Sequence, residues 1–181
     1  GLHRGGNGIH MTYRFLADGE IAIHDDRWFV PPWGVHDGAP GKRARKVLEK
    51  ADGTSTVVGN KRDDIKVSAG DQLHFITWGG GGWGDPLQRD PAIVGKEIRQ
   101  GLITVEGARD YGVVADANGA IDDAATAALR EEINNSRETG HVFNYGPSIE
   151  ELRANCEEET GLPAPIQPVW HRRGENLEAA E

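Results

Sequence analysis

An α+β chain, with a β-rich unit of antiparallel strands ahead of a small helical unit and an extended tail, is the architecture this sequence predicts. Three observations predict it. Short apolar runs divided by turn dipeptides recur from residue 9 to residue 78. Helix-capping aspartates then appear at Asp90, before Pro91, and at Asp122. Between the two regimes lies Gly79-Gly80-Gly81-Gly82, flanked by Trp78 and Trp83. Four glycines in a row cost conformational entropy and bring no side chain to pack, so they belong where a backbone turns sharply or is approached closely.

Taken in order, Ile9 to Leu16 alternates imperfectly and Asp18-Gly19 is a turn. Ile21 and Ile23 then share one strand face. Trp28-Phe29-Val30 is apolar, and Pro31-Pro32 stops pairing because proline has no N–H for a ladder. Arg45–Glu49 and Thr54–Val58 flank Asp52-Gly53, a hairpin signal, while Ile65 and Val67 make a short strand before Ala69-Gly70-Asp71. Leu73–Trp78 is the best strand of the chain. These strands predict a sandwich or barrel-like unit over residues 1–89. Residues 90–140 form the helical unit. Ile93, Val94 and Ile98 stripe its first helix, a short helix follows Thr104, and Val113–Ala115 reads as a strand. Ala125, Ala128, Leu129 and Ile133 stripe the last helix. Residues 141–181 are a tail of another kind. Ser148-Ile149-Glu150-Glu151 is a capping box opening a helix to about Glu159, after which Pro163, Pro165 and Pro168 enforce extension.

Bulk properties exclude several classes. The formal net charge of −9 argues against a nucleic-acid binder, whose phosphate contacts need a basic face. Cys156 is the one cysteine, so there is no internal disulfide framework and no cysteine-cluster zinc site, as suits the cytoplasm. No apolar run approaches the roughly 20 residues that span a bilayer. Hydrophobic content of 37% and mean hydropathy of −0.56 are low for a self-sufficient globule. Gly1-Leu2-His3-Arg4 reads as mid-chain sequence, which a fragment or a processed subunit would give.

Residues with chemistry are present, but they form no complete catalytic set. Gly79-x-Gly81-x-x-Gly84 fits a dinucleotide fingerprint literally, yet Asp85-Pro86 follows where a helix should begin, so a packing loop is the better reading. No Gly-Lys-Ser/Thr ending and no Gly-x-Ser-x-Gly elbow occurs. Among His3, His10, His24, His36, His74, His141 and His171 no spacing is diagnostic of a metal, and none is predicted here. Asp25-Asp26-Arg27 could serve acid–base work, although a local ion pair at a strand end explains it as well. Glu157, Glu158 and Glu159 beside Cys156 disfavour a thiolate nucleophile.

Several stretches together resemble the carboxy-terminal part of B-type subunits in the hydantoinase B/oxoprolinase family. They are Arg4-Gly5-Gly6-Asn7-Gly8, Tyr13-Arg14-Phe15, Pro31-Pro32-Trp33-Gly34, Gly70-Asp71, the Gly79–Gly84 run, Asp85-Pro86, Arg89-Asp90-Pro91 and Tyr111-Gly112-Val113-Val114. The resemblance covers residues 3–115 and implies a heteromeric, ATP-dependent cytoplasmic enzyme that opens cyclic amides such as hydantoins, 5-oxoproline and lactams. It equally admits a biotin-independent ketone carboxylase of the acetone/acetophenone type. It implies ATP and Mg on a hydantoinase A-type partner subunit, and a divalent metal, where present, in the remainder of the B-type subunit. No catalytic or metal residue transfers to this chain.

The leading expectation is therefore a piece of a B-type subunit of a cyclic-amide hydrolase, inactive alone, that completes the subunit fold and the assembly. The alternatives are the ketone carboxylase and a non-catalytic structural subunit. The segments expected to face a ligand are Arg4 and Asn7 in the first and Gly79, Gly80, Gly81 and Gly82 in the second. Both expose backbone amides, and Arg4 adds a permanent cation. Glycine turns packed at a subunit interface are the plainer alternative. The tail, with Trp170 as anchor, is expected to dock on another chain or on the rest of the B-type subunit.

Overall fold

The computed structural model describes residues 1–166. Eight strands and four helices follow one another: β1 (His10–Arg14), β2 (Gly19–Ile23), β3 (Gly34–Val35), β4 (Arg45–Glu49), β5 (Ser55–Val57), β6 (Arg62–Val67), β7 (Gln72–Ile76), α1 (Pro91–Arg99), α2 (Val105–Ala108), α3 (Asp123–Ser136), β8 (Phe143–Asn144) and α4 (Ile149–Thr160). The sheets are antiparallel, with order β1-β7-β4-β5 in the larger, beside the separate pairs β2-β6 and β3-β8. The α+β expectation holds, and the sheets do not close into a barrel.

Period-two alternation turns Leu48 of β4 and Leu73 of β7 toward Ile23, Ile65 and Val67 of the β2-β6 pair, and these five residues are the first core. Two turns are tied together beneath it by one carboxylate. Asp71 accepts from the amides of Ser68 (2.9 Å) and Ala51 (3.0 Å) and from Lys50 Nζ (2.8 Å). That role explains the Gly70-Asp71 pair, because Gly70 sits at φ +94°, where a Cβ would be strained. Trp28–Val30, by contrast, joins no strand.

The helical unit has its own core of Val94 and Ile98 from α1, Ala108 from α2, and Val113. Asp90 caps α1 by accepting from the Ala92 amide at 2.8 Å, with Pro91 in the first turn. Ile93 departs from the expected stripe and is exposed, while Glu97 is buried in its place. On α3 the expected Ala125, Leu129 and Ile133 are half-buried and Ala128 is exposed. The buried residue there is Thr126, whose hydroxyl accepts from the Val114 amide at 3.0 Å. Val113–Ala115 forms a single bridge, Ala115 to Ile121, rather than a strand.

The capping box opens α4 as expected, with the Ser148 hydroxyl accepting from the Glu151 amide (3.2 Å) and the Glu151 carboxylate accepting from the Ser148 amide (3.1 Å). Gly161 closes the helix in the left-handed conformation. The described part of the tail does not lie away from the chain, however. β8 pairs with β3, Leu152 and Cys156 are buried, Leu162 seats on Gly59, and Arg43 holds Glu159 at 2.6 Å. A capped helix with two buried side chains finds its partner surface on the β-rich unit of the same chain. Ile149 remains exposed. Trp170 and its expected burial lie outside the described residues.

Candidate functional site

Beyond β7 the ladder continues without side chains. Residues 79–84 run between two other backbones, residues 1–8 on one side and 33–41 on the other. The amides of Gly80 and Trp83 donate to the carbonyls of Gly6 (2.8 Å) and His3 (2.8 Å), while those of Gly82 and Gly84 donate to Ala39 (2.9 Å) and Val35 (2.9 Å). At several of these positions the spacing leaves no room for a Cβ atom. One added to Gly81 would sit on the Trp33 carbonyl oxygen, and one added to Gly5 would sit on the Gly80 backbone. The four glycines are therefore a crossing of backbones rather than a phosphate loop, and no helix begins inside them.

This crossing forms one wall of a cleft of about 480 Å³. Arg4, Asn7, Gly79, Gly80 and Gly82 line it, so the two segments singled out from the sequence converge. Gly81 is not among the lining residues, since it backs onto Trp33. Sequence reasoning missed Lys42, Tyr111 and the stretch Leu102–Thr104, which complete the cleft from loops of both units. Tyr111 lay within a recognised motif, whereas no local signal marked Lys42.

Arg4 and Asn7 are themselves occupied. Arg4 donates to Glu97 through Nε (2.8 Å) and to the Asn7 side-chain oxygen (2.8 Å), and the Asn7 amide nitrogen donates to the Leu102 carbonyl (3.0 Å). Arg89 donates to the same Glu97 oxygen (2.8 Å) and to the Leu2 carbonyl (2.7 Å), with its guanidinium 5.6 Å from the Tyr111 ring centre. Glu97 therefore moors the amino-terminal segment to α1. Arg4 thus lines the cleft with its Nε and Nη1 already engaged by Glu97 and Asn7.

The candidates of the His24–Asp26 run are dispersed. His24 pairs with Asp63 at 2.8 Å, Asp26 with Lys61 at 3.2 Å, and Asp25 with the buried Lys46, so the expected acid pair is divided between partners. Among the described residues, no group of three or more His, Cys, Asp or Glu is placed to hold a metal ion. Among the same residues no helix is long and apolar enough to cross a membrane.

Two carboxylates bracket the cleft's foundations. Burial alone would raise the pKa of Glu97, but the hydrogen bonds from Arg4 and Arg89 outweigh it and leave the group below its ordinary value. Asp85, which caps the turn at Pro86–Gln88, is lowered chiefly by Arg137, which donates to it twice at 2.6 and 2.7 Å. Carboxylates depressed in the folded state stabilise it fully above the ordinary value near pH 4, and that contribution is lost as pH falls through the depressed values. Melting temperature is accordingly expected to hold level from pH 7 to about 5 and then fall steeply, with a shallower fall in Asp85→Asn and in Glu97→Gln. Equal acid slopes in wild type and both variants would contradict the assignment.

Comparison with known proteins agrees with the sequence motifs. A profile of the family described as hydantoinase B/oxoprolinase matches residues 1–86. The chain is 50% identical over 67 residues to the beta subunit of the caprolactamase of Pseudomonas jessenii, covering 36% of this chain and 12% of that protein. It is 32% identical over 133 residues to a D-/L-hydantoinase B-type subunit of a Pseudomonas species, covering 72% and 22%. The crystal structure of the ATP-dependent caprolactamase from Pseudomonas jessenii superposes with a TM-score of 0.60 at 29% identity, over 72% of this chain and 24% of that one. The chain thus spans less than a quarter of the length of these relatives.

Proposed function

Residues 1–86 belong to the hydantoinase B/oxoprolinase family, and on that premise we propose that the chain is part of a B-type subunit of an ATP-dependent cyclic-amide hydrolase. The observation that carries the reading is the convergence of Arg4–Gly8 with Gly79, Gly80 and Gly82 on one cleft. In this reading the cleft is a wall of the substrate chamber. Lys42 and the Tyr111 hydroxyl serve as hydrogen-bond donors, and burial raises the Tyr111 pKa so that the phenol keeps its proton. ATP and Mg belong to an A-type partner subunit, and the rest of the B-type subunit completes the chamber in a cytoplasmic hetero-oligomer. The exposed cluster of Trp33, Phe143 and Tyr145, with ring centres 5.3 to 6.0 Å apart, supports a covered surface in that assembly.

The test is an assay of the native complex with hydantoin, 5-oxoproline and caprolactam, with and without ATP. ATP-dependent ring opening of at least one is expected. No turnover of any would sink the reading, and bicarbonate-dependent consumption of a ketone would select the carboxylase instead.

A further inference from the structure

On the solvent-facing side of the four-stranded sheet, three neighbouring strands bring a carboxylate and two imidazoles into line. Glu49 of β4, His74 of β7 and His10 of β1 share this face by register, since His74 stands opposite both Val47 and Thr12. His74 Nε2 lies 3.2 Å from Glu49 Oε2. The Nδ1 of the same ring lies 3.2 Å from His10 Nε2 and 3.2 Å from the Thr12 hydroxyl. His10 lines the cleft.

The chemistry of the atoms orders this chain of bonds. A carboxylate only accepts, so the first hydrogen belongs to His74 Nε2. A neutral His74 is then bare at Nδ1 and accepts from both the Thr12 hydroxyl and His10 Nε2–H. His10 is in turn bare at Nδ1. The bond chain thus fixes both tautomers and leaves a basic nitrogen on the imidazole that borders the cleft. A base oriented by a second group, itself oriented by a carboxylate, is the arrangement general acid–base catalysis uses.

We propose that His10 is the acid–base residue of the cleft, with His74 and Glu49 as its positioning residues. This rests on the cyclic-amide reading above. A water gives one proton to His10 Nδ1 as its oxygen bonds to the ring carbonyl carbon. His10 then passes that proton to the ring nitrogen as the C–N bond breaks. One water is consumed and one C–O bond forms, giving a carboxylic acid that ionises in solution and a freed nitrogen, an amine from a lactam or a carbamoyl group from a hydantoin. ATP on the A-type partner, hydrolysed with a second water to ADP and phosphate, would drive the opening. His10 returns to its neutral form.

Two measurements test it. In the full chain, imidazole ¹⁵N spectra at neutral pH are expected to show the Nε2–H tautomer for both His10 and His74, and Glu49→Ala should scramble the His74 tautomer. An Nδ1–H tautomer at His10 would overturn the proposal. In the native complex, His10→Gln, which retains a donor toward His74, should lower kcat about 100-fold or more with KM little changed. Glu49→Ala should lower kcat about tenfold, with Glu49→Asp restoring part of it. His10→Gln keeping kcat within about threefold would also overturn the proposal. If the wild-type complex opens no cyclic amide, the substrate reading fails, and the tautomer spectra alone decide the relay.

Discussion

Gly81→Ala is expected to destabilise the chain by about 4 kcal/mol or more, a loss of about 10 °C in melting temperature for a chain of this size. The added methyl meets the Trp33 carbonyl oxygen, with the Gly34 amide behind it. Both are main-chain atoms, so no side chain can swing aside to absorb the overlap. Gly6→Ala, in the adjoining segment, has open space around its Cβ and should change stability by no more than about 0.5 kcal/mol. Parallel thermal melts of the two variants decide the matter. A drop under about 2 °C for Gly81→Ala would mean that the three backbones do not cross as tightly as they are placed.

The second large effect lies beneath β4. Lys46 is 1% exposed, ion-paired to Asp25 and 5.0 Å from the centre of the Phe75 ring. Removing either partner strands the other charge away from water, so Lys46→Met and Asp25→Asn should each cost about 3 to 4 kcal/mol. The double variant leaves no buried charge and should cost less than either single change. Urea midpoints of the four proteins give the cycle. Single-variant costs that add to within about 0.5 kcal/mol would show that the pair is not coupled.

That pair also illustrates what the sequence contained and what it hid. Alternation in Arg45–Glu49 puts Lys46 on the same face as Leu48, so the pattern already pointed a lysine inward. Its partner could not be found this way, because Asp25 lies in an irregular stretch with no period to read. Strands, helix caps and the Ser148 capping box were legible because each rests on residues within four positions of one another. Glu97 was not. A helix pattern assigns carboxylates to solvent, and only Arg4 and Arg89 arriving from other segments reverse that. In the cleft, both glycine segments were recognisable from composition, but Gly81 faces away because it is packed against the Trp33 carbonyl, a contact from a distant segment that composition does not contain. Glu49, His74 and His10 occupy three separate strands, and their meeting depends on sheet order, which no local window contains.

The short pairing of β3 with β8 bears on how the chain reaches this structure. Beside it, the His141 amide donates to Asp37 across a separation of 104 residues. Closing a loop of that length in an unstructured chain costs about 4 kcal/mol of entropy. A two-residue ladder cannot repay such a cost alone, so it closes late, once the backbone crossing and the helical unit have shortened the path between its ends. The ladder then acts as a topological clasp. With the ends of the intervening segment joined, the helical unit becomes an excursion from the β-rich unit rather than a pendant domain, and any loosening of the crossing at residues 79–84 is felt by both.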